Sequence, residues 1–282
     1  RNYMSIQLMF GLLEKDYVEE ITKYECRKLC ELVYKVPKKW HQVIKSDKEI
    51  PSLLTNNPNK AIKKKTVKGI LLTAREFLRF AAKEDIIPTG YGEFFDMPIR
   101  LDQRERKPFD SKYLRKIFNP KVYPDPHSRF YMPNFWVPII ALYQGCRCGE
   151  ICQLDTDDVV SYKKIPCFDI NENSKDKSVK NWGTARIIPI HPQLIKMGFL
   201  SYVQYRKQEH YKKLFFDKIE KEPGNYRKKI TTWFPKYKEN VGITEAEKVF
   251  HSFRHTFATC AIEKRIPTEY QNALGGWVDH GI

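Results

Sequence analysis

The chain has 282 residues, 41% of them hydrophobic, which is material for about two domains. Fifty lysines and arginines stand against 34 aspartates and glutamates, and the formal net charge of +16 asks for a polyanionic partner, nucleic acid first and an anionic membrane surface second. No apolar run approaches the roughly 20 residues that span a bilayer, Arg1-Asn2-Tyr3-Met4 has no signal-peptide pattern, and seven irregularly spaced cysteines without a paired Cys-x-x-Cys argue against a zinc site and fit a reducing, cytosolic compartment.

Residues 1 to about 100 read as helical throughout. Residues 17–34 are apolar at Val18, Ile21, Leu29, Leu32 and Val33, and residues 66–87 carry Val67, Ile70, Leu71, Ala74, Phe77, Leu78 and Ala81 at helical spacing. Pro51, Asn56-Asn57 and Pro58 separate the two, and Pro88-Thr89-Gly90 ends the second. Lys63, Lys64, Lys65 and Lys68 lead that second helix, with Arg75 and Arg79 further along. Such a run is either a solvated face or one that lies along an anionic surface; followed by Leu72, Phe77 and Phe80 it superficially fits a membrane-binding helix too.

The charge-dense residues 100–107 have little to bury and read as a linker, which divides the chain into 1–102 and 103–282. Pro108-Phe109-Asp110-Ser111 restarts a helix with Asp or Ser as its cap. Helical segments at 112–118 and 136–154 precede two β-rich runs, 165–170 and 185–190, joined by a polar, lysine-rich stretch like a long hairpin connection. Helices resume at 192–213, 226–240, 251–264 and 268–274. The expected architecture is mainly α: a helical N-terminal domain, then a mixed α/β domain with a small antiparallel sheet.

Three places carry groups suited to a phosphate. In Gly145-Cys146-Arg147-Cys148-Gly149-Glu150, an Arg in the first turn of a helix offers a guanidinium fork beside free backbone N–H groups, and Glu150 shares its face. Taken alone this is a weak signal, since Arg and Glu at this spacing are usually an ordinary surface pair. In His251-Ser252-Phe253-Arg254-His255-Thr256-Phe257-Ala258-Thr259, His251 and Arg254 share a helix face, so a proton carrier and a charge stabiliser meet one spot; alternatively this is a capped helix with Phe253 and Phe257 turned inward. In Leu274-Gly275-Gly276-Trp277, Trp277 supplies one indole N–H or simply packs.

Together these segments resemble the tyrosine recombinase (phage integrase) family. Its catalytic domain has a Gly-x-Arg-x-x-Glu box, a hairpin Lys, a His-x-x-Arg box continued as His-Thr-Phe-Ala-Thr, and a later His or Trp at the interval seen between Arg254 and Trp277. The stretch Lys180-Asn181-Trp182-Gly183-Thr184-Ala185-Arg186-Ile187-Ile188-Pro189 is similar to the family's lysine hairpin, where a turn Lys precedes an Arg-x-x-Pro strand. The likeness covers residues from about 108 onward, and loosely 66–88, similar to the family's core-binding domain.

The resemblance implies a DNA breaking-rejoining fold and phosphoryl transfer without metal or cofactor. A tyrosine attacks the scissile phosphodiester and leaves a 3′-phosphotyrosyl link with a free 5′-hydroxyl. Arg147 and Arg254 clamp the phosphate, Glu150 supports Arg147, and His251 exchanges a proton with the nucleophile. Lys180 is the general acid, with Lys175 and Lys177 as alternatives in the same connection. Trp277 donates its N–H or packs beneath the phosphate. The tyrosine belongs shortly after Trp277, beyond Ile282, and Tyr270 does not fit its place, so the sequence reads as a piece of a longer chain. Lys63, Lys64, Lys65, Lys68, Arg75 and Arg79 are expected on DNA backbone. The implied partners are double-stranded recombination sites and, in the full-length protein, a homotetramer on DNA, in a cytoplasmic, nucleoid-associated setting. Rival readings are a non-catalytic DNA-binding protein on the same scaffold, a type IB topoisomerase and, more distantly, a membrane-surface protein.

Overall fold

The computed structural model describes residues 2–42, 49–95, 106–125, 127, 132–178, 185–217 and 225–277. The chain splits into two compact units, Arg1–Gln103 and Arg104–Ile282. Among the described residues, no helix is long and apolar enough to cross a membrane.

The first unit is helical. Its main elements are α1 (Asn2–Leu13), α2 (Lys23–Leu32) and α3 (Lys64–Lys83). Leu8, Met9 and Leu12 of α1, Cys26 and Leu29 of α2, and Val67, Leu71, Ala74 and Leu78 of α3 form one core. A fully buried Leu, Met or Val here contributes about 1.5–3 kcal/mol. The helix expected over 17–34 starts later: Thr22 caps α2, accepting from Tyr24 N at 3.2 Å, while Glu25 reaches back to Thr22 N at 3.0 Å. That Thr-x-x-Glu box breaks a pattern which apolar spacing alone makes continuous.

The second unit opens with α4 (Ser111–Ile117), capped by Asp110, whose carboxylate accepts from Lys112 N and Tyr113 N at 2.9 and 3.1 Å. Then come α5 (Met132–Gln144) and α6 (Cys148–Cys152). The sheet follows, β1 (Val159–Tyr162), β2 (Ile165–Ile170) and β3 (Arg186–Pro189), antiparallel throughout in the order β1-β2-β3. Its register sets Val159 against Phe168, and Ile170 against Arg186. Among the described residues five helices follow: α7 (Pro192–Lys196), α8 (Phe199–Gln208), α9 (Asn225–Asn240), α10 (Ser252–Glu263) and α11 (Thr268–Gly275).

Three differences from the sequence expectation have local causes. Strand β1 is additional to the two β-rich runs. It is short, and its turn to β2 uses Lys163 and Lys164, both at positive φ, without the Asn-Gly signature of such hairpins. The helix expected over 136–154 is two helices, because Gly145 has φ +64° and leaves the helical path. A Cβ at Gly145 would also run into the Phe257 ring. Cys146 therefore sits in the break rather than in a helix. The helix expected over 192–213 is likewise interrupted, between α7 and α8, where Gly198 has φ +85°.

Helix α10 is held by an aromatic cluster. Phe253 is fully buried, with ring centroids 4.9 Å from Phe109 and 5.3 Å from both Phe234 and Phe250. Thr256 Oγ1, one turn on, accepts from Phe109 N at 2.8 Å. With Phe253 and Thr256 fixed inward, the neighbouring His251 and Arg254 have set directions.

Candidate functional site

Arg147 caps α6 in an extended conformation (φ −70°, ψ 144°), ahead of the first helical turn rather than within it. Its N–H donates to Glu150 Oε2 at 2.9 Å, and its Nη1 to Glu150 Oε1 at 2.6 Å. Glu150 thus fixes both ends of Arg147. Arg147 Nη2 donates to Gly276 O at 3.0 Å, and the side chain keeps 23% of its surface exposed.

Arg254 lies deeper. Its Nη1 donates to Gly145 O at 2.6 Å and to Gly275 O, and its guanidinium carbon stands 4.3 Å from the centre of the Trp277 ring. Burial, then the neighbouring Arg147, draws its pKa down to about 10, which still leaves it charged at neutral pH. Trp277 stacks on Phe257 with ring centroids 6.2 Å apart and lies against Gly275. Its backbone N–H reaches Asn272 O at 3.1 Å, across Gly276 in the left-handed region at φ +61°.

His251 sits beside this pair. Burial first, then His255, Arg106, Arg254 and Arg147, bring its pKa down to about 4, so the imidazole is uncharged at neutral pH. Its ring is 5.0 Å from that of His255, one turn along α10. Burial, then Arg106 and Arg254, also lowers His255. The three residues of greatest interest, Arg147, His251 and Arg254, therefore share one neighbourhood.

A third guanidinium, not singled out from the sequence, completes the cluster. Arg186 of β3 donates through Nη2 to Glu150 Oε2 at 3.0 Å and through Nε to Leu274 O at 3.1 Å. Burial pushes the Glu150 carboxyl up, but Arg186 and then Arg147 outweigh it, and Glu150 stays below its ordinary value and ionised. Two guanidiniums thus meet one buried carboxylate, and the third, Arg254, is held beside them by Gly145 O and Gly275 O. Arg106 was also overlooked; it falls in a stretch that reads as linker. Cys146 and Cys152 are inert thiols: burial pushes Cys146 up to about 12 and Cys152 well above the usual range.

Lys180 lies outside the described residues. Of its two alternatives, Lys175 is exposed and Lys177 is locked away. Lys177 Nζ is 2.8 Å from Asp155 Oδ2 and 2.7 Å from Asp158 Oδ2, with its side chain 4% exposed. Burial opposes its charge, but these two carboxylates prevail and raise its pKa. An ammonium held this tightly neither reaches a substrate nor gives up its proton readily.

In the first unit, Lys64, Lys68, Arg75 and Arg79 recur at intervals that keep one face of α3. Lys63, Lys64 and Lys65 are exposed and Lys68 is half-buried, with no ion-pair partner for any of them among the described residues. Arg75 pairs with Glu76 at 3.0 Å; Arg79 lies 3.9 Å from Glu76 and 3.8 Å from Glu93.

No curated protein matches the chain. Among solved structures it is similar to a lambda integrase (75–356) dimer bound to a COC′ core site, at TM-score 0.60 and 16% identity over 99% of this chain and 84% of that one. It is also similar to a Tn1549 transposon integrase (82–397) in complex with circular intermediate DNA, at TM-score 0.59 and 15% identity over 95% and 83%. A lambda integrase tetramer bound to a Holliday junction matches at TM-score 0.60 and 15% identity over 100% and 71%. At such identities these likenesses establish the fold. The family model described as the phage integrase family matches residues 128–282, a span holding the break at Gly145, the arginine cluster and α10. That match takes in more than half of the sequence, and the chain belongs to the phage integrase family of tyrosine recombinases.

Proposed function

We propose that this chain is a site-specific DNA recombinase that cuts and rejoins DNA through a 3′-phosphotyrosyl intermediate. The observation that carries the reading is the charge of the cluster: Arg147 and Arg186 pair with the carboxylate of Glu150, Arg254 is held beside them by Gly145 O and Gly275 O, and neutral His251 stands alongside. A buried excess of planar cations calls for an anion, and a DNA phosphate passing through a pentacoordinate state fits it.

In this reading the second unit is the catalytic domain and the first a helical core-binding domain. A tyrosine following Trp277 attacks the phosphorus. Arg147 and Arg254 hold the non-bridging oxygens. His251, uncharged at rest, takes the tyrosine's proton, and Lys180 protonates the departing 5′-oxygen. Trp277 packs against Arg254 and keeps its fork oriented. The phosphotyrosyl bond conserves the energy of the broken phosphodiester, so a 5′-hydroxyl from partner DNA reverses the step without ATP. Solved relatives bound to DNA as a dimer and as a tetramer support double-stranded DNA as the partner, with assembly to a homotetramer on two sites.

The test is incubation of the full-length protein with a suicide attachment-site duplex in the presence of EDTA. A covalent protein–DNA adduct that survives detergent is the expected result. Binding without an adduct refutes the enzyme reading and favours a non-catalytic DNA-binding protein on the same scaffold.

A further inference from the structure

We propose that Arg186 is a positioning residue of the phosphate site: it neutralises Glu150 and so leaves the Arg147 fork available to DNA. The assignment rests on the recombinase reading above. Glu150 is 3% exposed and its two oxygens are divided between neighbours. Oε1 accepts from Arg147 Nη1 at 2.6 Å; Oε2 accepts from Arg147 N at 2.9 Å and from Arg186 Nη2 at 3.0 Å. Remove Arg186, and the charge of this carboxylate falls on Arg147 alone. A carboxylate in a medium of low dielectric then competes with the phosphate for the same guanidinium. The surplus of the cluster also drops from two positive charges to one.

Arg186 has a second attachment that fixes where this neutralisation occurs. Leu274, Gly275 and Gly276 present three successive carbonyls at the C-terminal end of α11, and Arg186, Arg254 and Arg147 take one each. The negative end of the α11 dipole is thereby set against the three guanidiniums. Arg186 lies so close over Gly276 that a Cβ there would come within 2.6 Å of its Nη1. It thus ties the Gly145–Glu150 box to the turn carrying Trp277. At 11% side-chain exposure it is more enclosed than Arg147 at 23%, as suits a residue that acts through its neighbours.

The experiment uses full-length protein on the suicide duplex, with single-turnover cleavage and DNA affinity measured separately and thermal unfolding read for each variant. Arg186→Met is expected to slow cleavage about 10- to 100-fold, as loss of a supporting partner does, with little change in affinity. Arg186→Lys, which restores charge without the fork, is expected to fall between Met and wild type. The deciding protein is the double variant Glu150→Gln/Arg186→Met. Gln keeps the helix cap and has no charge to neutralise, so cleavage recovers toward wild type. A folded double variant as slow as Arg186→Met overturns the assignment, and so does Arg186→Met cleaving like wild type. Should the methionine protein not fold, Arg186→Gln replaces it in both the single and the double variant. Wild type forming no adduct overturns the recombinase reading itself, a separate result.

Discussion

Two buried ionic clusters lie within one unit, and they are built on opposite plans. Around Glu150, two arginines pair with one carboxylate while a third, Arg254, stands beside them, and Arg147 reaches the surface. Around Asp155, Asp158 and Asp176, two lysines serve three carboxylates. Lys177 lies between Asp155 and Asp158, while Lys213 Nζ is 2.7 Å from Asp155 Oδ1 and 2.5 Å from Asp176 Oδ2. The second cluster is closed: Lys213 is 1% exposed and also donates to Gln153 O at 3.1 Å. Burial and shifted ionisation mark both, so neither property alone identifies a site. Unspent positive charge with access to solvent does.

The comparison predicts opposite failures. Lys213→Met keeps the aliphatic stem but strips two buried aspartates of a cation. Its unfolding free energy in urea is expected to fall by about 3–5 kcal/mol, the usual result of breaking a buried pair from one side. Arg147→Lys, in the surplus cluster, is expected to unfold close to wild type and to slow strand cleavage by about 10²–10³-fold, since an ammonium does not reproduce the fork. A stable Lys213→Met protein would erase the distinction between the clusters.

Much of this was legible in the sequence, for reasons that can be stated. The helical class and the small antiparallel sheet follow from apolar spacing, and α3 carries Val67, Ile70, Leu71, Ala74, Leu78 and Ala81 inward as its periodicity requires. The two boxes are local, each within one or two helical turns, so His251 and Arg254 on one face could be read directly. Arg186 could not, because its partner Glu150 is 36 positions away and only the fold joins them. Strand parity held a usable signal: Arg186 shares a face with Ile188, which is 2% exposed, so its side chain turns inward. Lys177 failed in the other direction. It reads as one more lysine in a polar connection, and nothing local reveals Asp155 and Asp158 waiting for it. The Thr22 cap and the break at Gly145 were written in the sequence but are weaker than apolar periodicity when both are present.

The clusters are also expected to fail in separate pH windows. The folded His251 pKa is about 4 against an ordinary 6.5, so between these values the unfolded chain binds the proton and the folded one does not. Stability from this source is complete above pH 6.5 and is lost as pH falls toward 4. Asp176 is driven up by burial, but its hydrogen bonds to Lys213 and Ser174 prevail and hold it at about 2 against 3.8. Its contribution is complete above pH 3.8 and is lost as pH falls toward 2. Melting temperatures measured across both windows check this. His251→Asn should flatten the upper slope only in part, because His255 shifts the same way and still contributes, and Asp176→Asn the lower one only. A His251→Asn profile that parallels wild type between pH 6.5 and 4 counts against the uncharged imidazole.

The smallest expected effect extends the same distinction to the first unit. Lys64 and Lys68 share a face of α3 and have no carboxylate partner among the described residues, whereas Arg75 and Arg79 on that face stand beside Glu76 and Glu93. A cation already paired with a carboxylate displaces few of the counterions condensed on DNA; an unpaired lysine on a phosphate displaces its full share. Each such contact contributes about 0.9 to the slope of log affinity against log salt on duplex DNA. Lys64→Glu/Lys68→Glu is therefore expected to make that slope shallower by about two and to weaken binding to all sequences alike. The Lys213→Met protein, kept at a temperature where it is folded, is the control: its lost charge belonged to a closed cluster, so its slope should match wild type. Equal slopes for all three proteins would mean that the α3 lysines face solvent and that the surplus which matters is confined to the arginines.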